Sequence, residues 1–189
     1  MDAKSAQKIC GQPGRARKLP FLLKQLCCPN CGAAETLNRH SKLYGNDPAD
    51  RRGQGRLQRG QRVWCSDRGE RGGCGCSFSI FVAEVLPRHT VSGPWLWRVL
   101  QELLGGGSTK AACEGLQAPF PLETIYHLVT RLRERLSQIR SRLSCRCQPP
   151  ASAQSDPLLQ TVEHLRASFP KGLCSTADYQ LHFQMPLLE

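Results

Sequence analysis

Two cysteines at C-x2-C spacing, Cys28 and Cys31, lie in the string CCPNCGAAE. Pro29 and Gly32 permit a turn tight enough for both sulfurs to face one point and for backbone N–H groups to reach them. A tetrahedral metal site needs two more thiolates, which a zinc ribbon supplies from a second knuckle on a β-hairpin. The next thiols occur in WCSDRGERGGCGCSFS: Cys65, then Cys74 after eight residues, then Cys76. The first pair is a strong metal signal. The second has atypical spacing, and at this point either Cys74 or Cys76 could complete the set.

The other cysteines do not pair this way. Cys10, Cys27 and Cys113 read as bystanders, and Cys145 and Cys147 in CRC as free thiols, since no further ligands lie near them. The chain has eleven cysteines, an odd number, and its first residues contain no signal-peptide h-region. The expected setting is a reducing cytoplasm in which thiols stay free or bind metal, which argues against a disulfide framework. No run approaches the ~20 apolar residues of a membrane helix, so no membrane partner is expected.

The elements that must position these residues follow from composition. Residues 1–20 form a basic arm, polar and broken by GQPG, with the signature of disorder. Residues 21–86 hold the cysteines, with an extended Gly- and Arg-rich loop in YGNDPADRRGQGRLQRGQ. RLQRGQRVWC and CSFSIFVAEV read as strands, rich in β-branched and aromatic residues. From residue 90 to 145 the pattern is helical. SGPWLWRVLQELL is an amphipathic helix with Ser92 as its cap, ended by GGG at 105–107, and STKAACEGL is a short second helix.

A third helix starts after QAPFP, with Glu123 suited to its first turn. Its apolar stripe, Leu122, Ile125, Leu128/Val129, Leu132, Leu136, Ile139 and Leu143, steps by three and four as one long helix. Residues 146–156 form a linker. Residues 157–189 form a C-terminal helix and a short tail in which YQLHFQM reads as a strand. The stripe is long enough to seam with the C-terminal helix or with a second copy in a homodimer. The expected class is α+β, a small β zinc ribbon followed by a helix-turn-helix-like helical domain.

Charge points to a partner. The net charge is +11. Residues 1–26 carry six Lys/Arg against one Asp, residues 35–73 nine against five acids, and residues 122–147 six against two. Three basic patches on a neutral framework suit a polyanion, nucleic acid first. Three helices with short connections have helix-turn-helix proportions, placing the third in the major groove of double-stranded DNA. Its exposed positions Glu123, Thr124, Tyr126, His127, Thr130 and Arg131 carry groups able to meet base edges or phosphates, and Arg133, Arg135, Arg140 and Arg142 follow toward phosphates or solvent.

The string CPNCG … RVWCSDRGERGGCGCSFS resembles the N-terminal zinc ribbon of insertion-sequence transposases, whose second knuckle reads Cys-x-x-Cys-Gly-x-x-Phe-Ser. Cys74, Gly75, Phe78 and Ser79 match that ending, and Cys76 falls at a variable position. The resemblance therefore implies Cys28, Cys31, Cys65 and Cys74 as ligands of one Zn²⁺, with the interval after Cys65 as an Arg/Gly-rich insertion that departs from the family's spacing. It covers residues 27–83 and, less closely, the helices to about 143.

Such transposases also carry a catalytic domain with three carboxylates and two metal ions. Only 41 residues follow Gln148, with Asp156, Glu163, Asp178 and Glu189 their acids. No hydrolase motif is present, and the five histidines are scattered. The expectation is a non-enzymatic DNA-binding accessory or regulator of a mobile element, with a recombinase or transposase as partner. The alternatives are a zinc-ribbon adaptor that docks a protein through its long helix, and an RNA-binding factor, disfavoured by the absence of an aromatic stacking platform.

Overall fold

The structure is a computed structural model that describes residues 7–10, 23–46, 55–68, 72–118 and 120–188. Most of the basic arm, the tip of the Gly/Arg-rich loop and part of the interval after Cys65 lie outside these residues. Strands β1 (Gln7–Cys10), β2 (Leu37–Asn46), β3 (Arg56–Cys65) and β4 (Ser77–Val82) form one sheet in the order β1-β4-β3-β2. β2, β3 and β4 are antiparallel, and β1 adds parallel to β4. Thus four residues assigned to the basic arm are sheet. The sequence offered no strand at β2, and its last residues, 44–46, fall in the stretch read as loop.

The alternation of β3 and β4 explains the small first core. Gln61, Val63 and Cys65 point inward from β3, as do Phe78 and Ile80 from β4, with Val63 opposite Phe78. Leu23, Cys28 and Leu37 close the cluster. Seven buried residues, two of them cysteines, make a core too small to hold a fold without a staple.

Helices α1 (Gly93–Leu104), α2 (Thr109–Gly115), α3 (Leu122–Glu134), α4 (Leu136–Ser144), α5 (Pro157–Ser168) and α6 (Ser175–Phe183) follow. The Ser92 hydroxyl accepts from the Trp95 N–H and starts α1, and Ser108 does the same for α2 through Ala111. The long third helix is in fact two. Arg135, at φ −103° and ψ 2°, leaves the helical region and separates α3 from α4. The apolar stripe continues in phase across the break: Ile125, Leu128, Val129, Leu132, Ile139 and Leu143 are buried in one cluster with Leu158, Val162 and Leu165, and α4 is the part that packs along α5. The stripe therefore seams within the chain.

YQLHFQM is helix through Phe183, not strand. Its apolar residues alternate, but the buried positions are Tyr179 and Gln180, and Leu181 is left exposed. α6 also ties the chain after β4 to the helical core. The fully buried Gln180 side chain donates to the carbonyls of Ala83 and Val85 and accepts the N–H of Leu187. The Thr176 hydroxyl donates to the Gly93 carbonyl.

Candidate metal centre and basic groove

Cys28, Cys31, Cys65 and Cys74 converge, with all four sulfurs within 4.8 Å of one another. Cys28 and Cys74 are 3.7 Å apart, and Cys31 and Cys65 are 3.8 Å apart. A tetrahedron with metal–sulfur bonds of ~2.3 Å has edges of about 3.8 Å, so these residues fit a bound metal ion. Cys28 and Cys65 are buried, Cys74 is half-buried and Cys31 is exposed.

Two turns build the centre. The first knuckle closes through the Gly32 N–H to the Cys28 carbonyl, 2.8 Å, and the Cys28 N–H to the Ala33 carbonyl, 2.9 Å. The second is tied to the hairpin by the Cys65 N–H to the Cys76 carbonyl, 2.8 Å. Gly32 and Gly75, each following a ligand cysteine, adopt φ of 75° and 69° in the left-handed region that glycine tolerates without cost. Gly73 is needed for another reason. A Cβ there would collide with the Ser66 carbonyl and lie 2.8 Å from the Cys65 sulfur.

Polar neighbours orient the sulfurs. The Asn30 N–H donates to Cys28 Sγ at 3.4 Å, and the Cys74 N–H to Cys65 Sγ at 3.3 Å. The buried Thr36 hydroxyl lies 3.1 Å from Cys65 Sγ. Such contacts fix ligand geometry at metal sites. Burial pushes the Cys28 thiol up to about 12, against the opposing N–H groups of Cys31 and Asn30. Burial acts the same way on Cys74. There the Asn30 side chain, the Cys76 N–H and the Cys76 and Cys28 thiols outweigh it and bring the group down to about 6.

Cys76 stays outside the quartet. Its sulfur receives the Asn30 side-chain amide at 3.4 Å, and hydrogen bonding with Cys74 raises its pKa. Cys27 is exposed beside the knuckle and takes no part in it. Asn30 and Thr36 were not singled out in the sequence, where neither has a distinguishing spacing.

The residues expected to meet DNA separate into groups. Thr124, His127 and Arg131, spaced by three and four on one face of α3, line a groove of about 590 Å³ together with Leu128, Arg88 and His89. Tyr126, half-exposed, and Thr130 lie on the adjacent stripe. Arg133 is engaged elsewhere: its guanidinium makes a bidentate pair with Asp156 at 2.7 and 2.9 Å. Asp156 also caps α5 by accepting the Leu158 N–H at 2.8 Å. Arg135 sits half-buried at the helix break and donates to Gln138 at 3.2 Å. Arg88 and His89 carried no signal in the sequence, because only the fold brings them to α3.

None of the described helices is long and apolar enough to cross a membrane. Compared with protein-family models, with curated proteins and with solved structures, the chain matches none.

Proposed function

We propose that this chain is a non-catalytic zinc-ribbon protein that binds double-stranded DNA through α3 and serves a mobile element as accessory factor or regulator. The observation that carries the DNA reading is the division of α3. Its apolar stripe is buried, while Thr124, His127 and Arg131 line a groove with no carboxylate among the described lining residues. With its N-terminal half in a major groove, α3 offers the Thr124, Tyr126, His127 and Thr130 side chains to base edges. Arg131 reaches a guanine edge or a phosphate. The link to a mobile element rests on the knuckle's likeness to transposase ribbons.

Zinc is the proposed ion of the cysteine quartet, since four thiolates in tetrahedral array are its preferred structural shell. Four protein sulfurs fill that shell, so the ion would hold the fold rather than activate water. Folding of the small ribbon core would then depend on metal.

Duplex binding as a function of salt tests the reading. If about six Lys/Arg neutralise phosphates, log affinity falls against log salt with a slope near −5. A flat response would contradict it.

A further inference from the structure

We infer that the groove between the Arg88–His89 turn and α3 seats a phosphate of the DNA backbone, so that the ribbon side of the protein contacts the duplex together with α3. This rests on the DNA-binding reading above and extends it to residues outside the helix. The groove's walls come from two elements: Arg88 and His89 from the chain after β4, and Thr124, His127, Leu128 and Arg131 from α3. Two guanidinium groups, two imidazoles and a hydroxyl thus face one space, with no carboxylate among the described lining residues. Cations gathered this way repel one another, and an anion between them removes that cost.

The turn that carries Arg88 is held in place. Arg88 has φ of 64°, a conformation that non-glycine residues adopt only when their surroundings enforce it. The His89 N–H closes the turn onto the Leu86 carbonyl at 3.1 Å. From β3, the half-buried Arg59 guanidinium donates to the Leu86 carbonyl at 2.8 Å and to the His89 carbonyl. The ribbon's central strand therefore fixes Arg88 and His89 beside α3. An intact ribbon is what completes the groove, and this gives the metal-stapled sheet a part in binding.

His89 adds a signature. Burial first, then Arg131 and Arg59, hold its pKa below the ordinary histidine range. The charged and titratable groups around it are Arg59 from β3, Arg131 and His127 from α3, and Arg88 on its own turn. All are cationic or neutral. A phosphate entering the groove offsets that positive field and accepts a hydrogen bond from imidazolium, so it raises the pKa of His89. Binding then takes up a proton, and affinity rises as pH falls.

Fluorescence anisotropy of the full chain with a short random-sequence duplex tests this. Arg88→Gly, which relieves the left-handed turn, should weaken binding and lower the salt slope by about one, and Arg88→Lys should keep the slope. Wild-type affinity should rise from about pH 8 to about pH 6, by at most about tenfold per pH unit for one proton. His89→Gln should flatten that rise. Metal content and far-UV circular dichroism should match wild type in each variant, and Lys171→Ala should change nothing.

If duplex binding persists while Arg88→Gly and His89→Gln reproduce the wild-type slope and pH profile, the groove assignment is overturned and the DNA reading stands. If the wild type does not bind the duplex, both fall. Tighter binding of an RNA hairpin through the same residues would also overturn the assignment to DNA.

Discussion

The sulfurs of Cys28 and Cys74 lie 3.7 Å apart although 46 positions separate them in the chain. The hairpin of β3 and β4 makes this meeting, because it brings the second knuckle back over the first. Each knuckle then offers one buried or half-buried sulfur to the other, and each is followed by a glycine in the left-handed conformation. The centre depends on backbone shape as much as on thiols.

Gly73→Ala tests that dependence. The added methyl has no room against the Ser66 carbonyl and the Cys65 sulfur. The second knuckle must shift, and the expected result is weaker metal retention against a competing chelator and loss of about 1–3 kcal/mol of stability. Wild-type retention and unfolding midpoint would contradict the described packing.

Gln180 ties the ribbon to the helices. Gln180→Met keeps the volume but leaves the Ala83 and Val85 carbonyls and the Leu187 N–H without this partner. Each buried unmet group costs about 1–3 kcal/mol, so denaturant unfolding should show a loss of about 3 kcal/mol or more. A change below about 1 kcal/mol would show that these bonds contribute little.

Arg131 and Arg133 should behave differently although both are basic and exposed on α3. Arg131 lines the groove, whereas Arg133 is held by Asp156. Arg131→Ala should lower the salt slope of duplex binding by about one. Arg133→Ala should leave the slope near wild type and act on stability instead. Equal losses of slope would place the Arg133 side chain on DNA and break its pairing with Asp156 in the complex.

Asp156 serves both as the cap of α5 and as the partner of Arg133. Asp156→Ala should cost about 1–2 kcal/mol, most of it from the lost cap, since a half-exposed pair adds at most about 1 kcal/mol. Hydrogen bonding to Arg133, reinforced by the Leu158 N–H and partly opposed by burial, holds the carboxyl below its usual range. A depressed folded pKa means stability that is present above the unfolded value of about 4 and lost as pH falls through the folded one. The gap between wild type and Asp156→Ala should thus be constant near neutrality and close only below about pH 4. A gap that closes between pH 8 and 6 would point to a histidine instead.

Much of this was legible in the sequence where local chemistry decides the outcome. β3 and α1 follow from β-branched and aromatic content and a serine cap, and the first knuckle from its proline and glycine. β2 was not, because only Leu37 is buried along it and its middle is solvated, so pairing with β3 rather than any pattern of its own makes it a strand. Alternating apolar residues near 179–185 suggested a strand, but α6 is set by what Tyr179 and Gln180 bury against. The break at Arg135 was hidden because the stripe keeps its phase across it. The α3 wall of the groove was legible in Thr124, His127 and Arg131, but its Arg88–His89 wall was not, since His89 meets Arg59 and Arg131 only in the folded chain.

Zinc content across the cysteine variants tests the central claim most directly, because a metal ion on the four cysteines is the proposed staple of the ribbon that fixes the groove. Native mass spectrometry of chain purified without chelator should show one zinc per wild-type chain. Cys76→Ser and Cys27→Ser should retain it, and Cys28→Ser and Cys74→Ser should lose it together with the ribbon's fold. A wild-type chain without metal, or zinc kept by Cys74→Ser and lost by Cys76→Ser, would contradict the account.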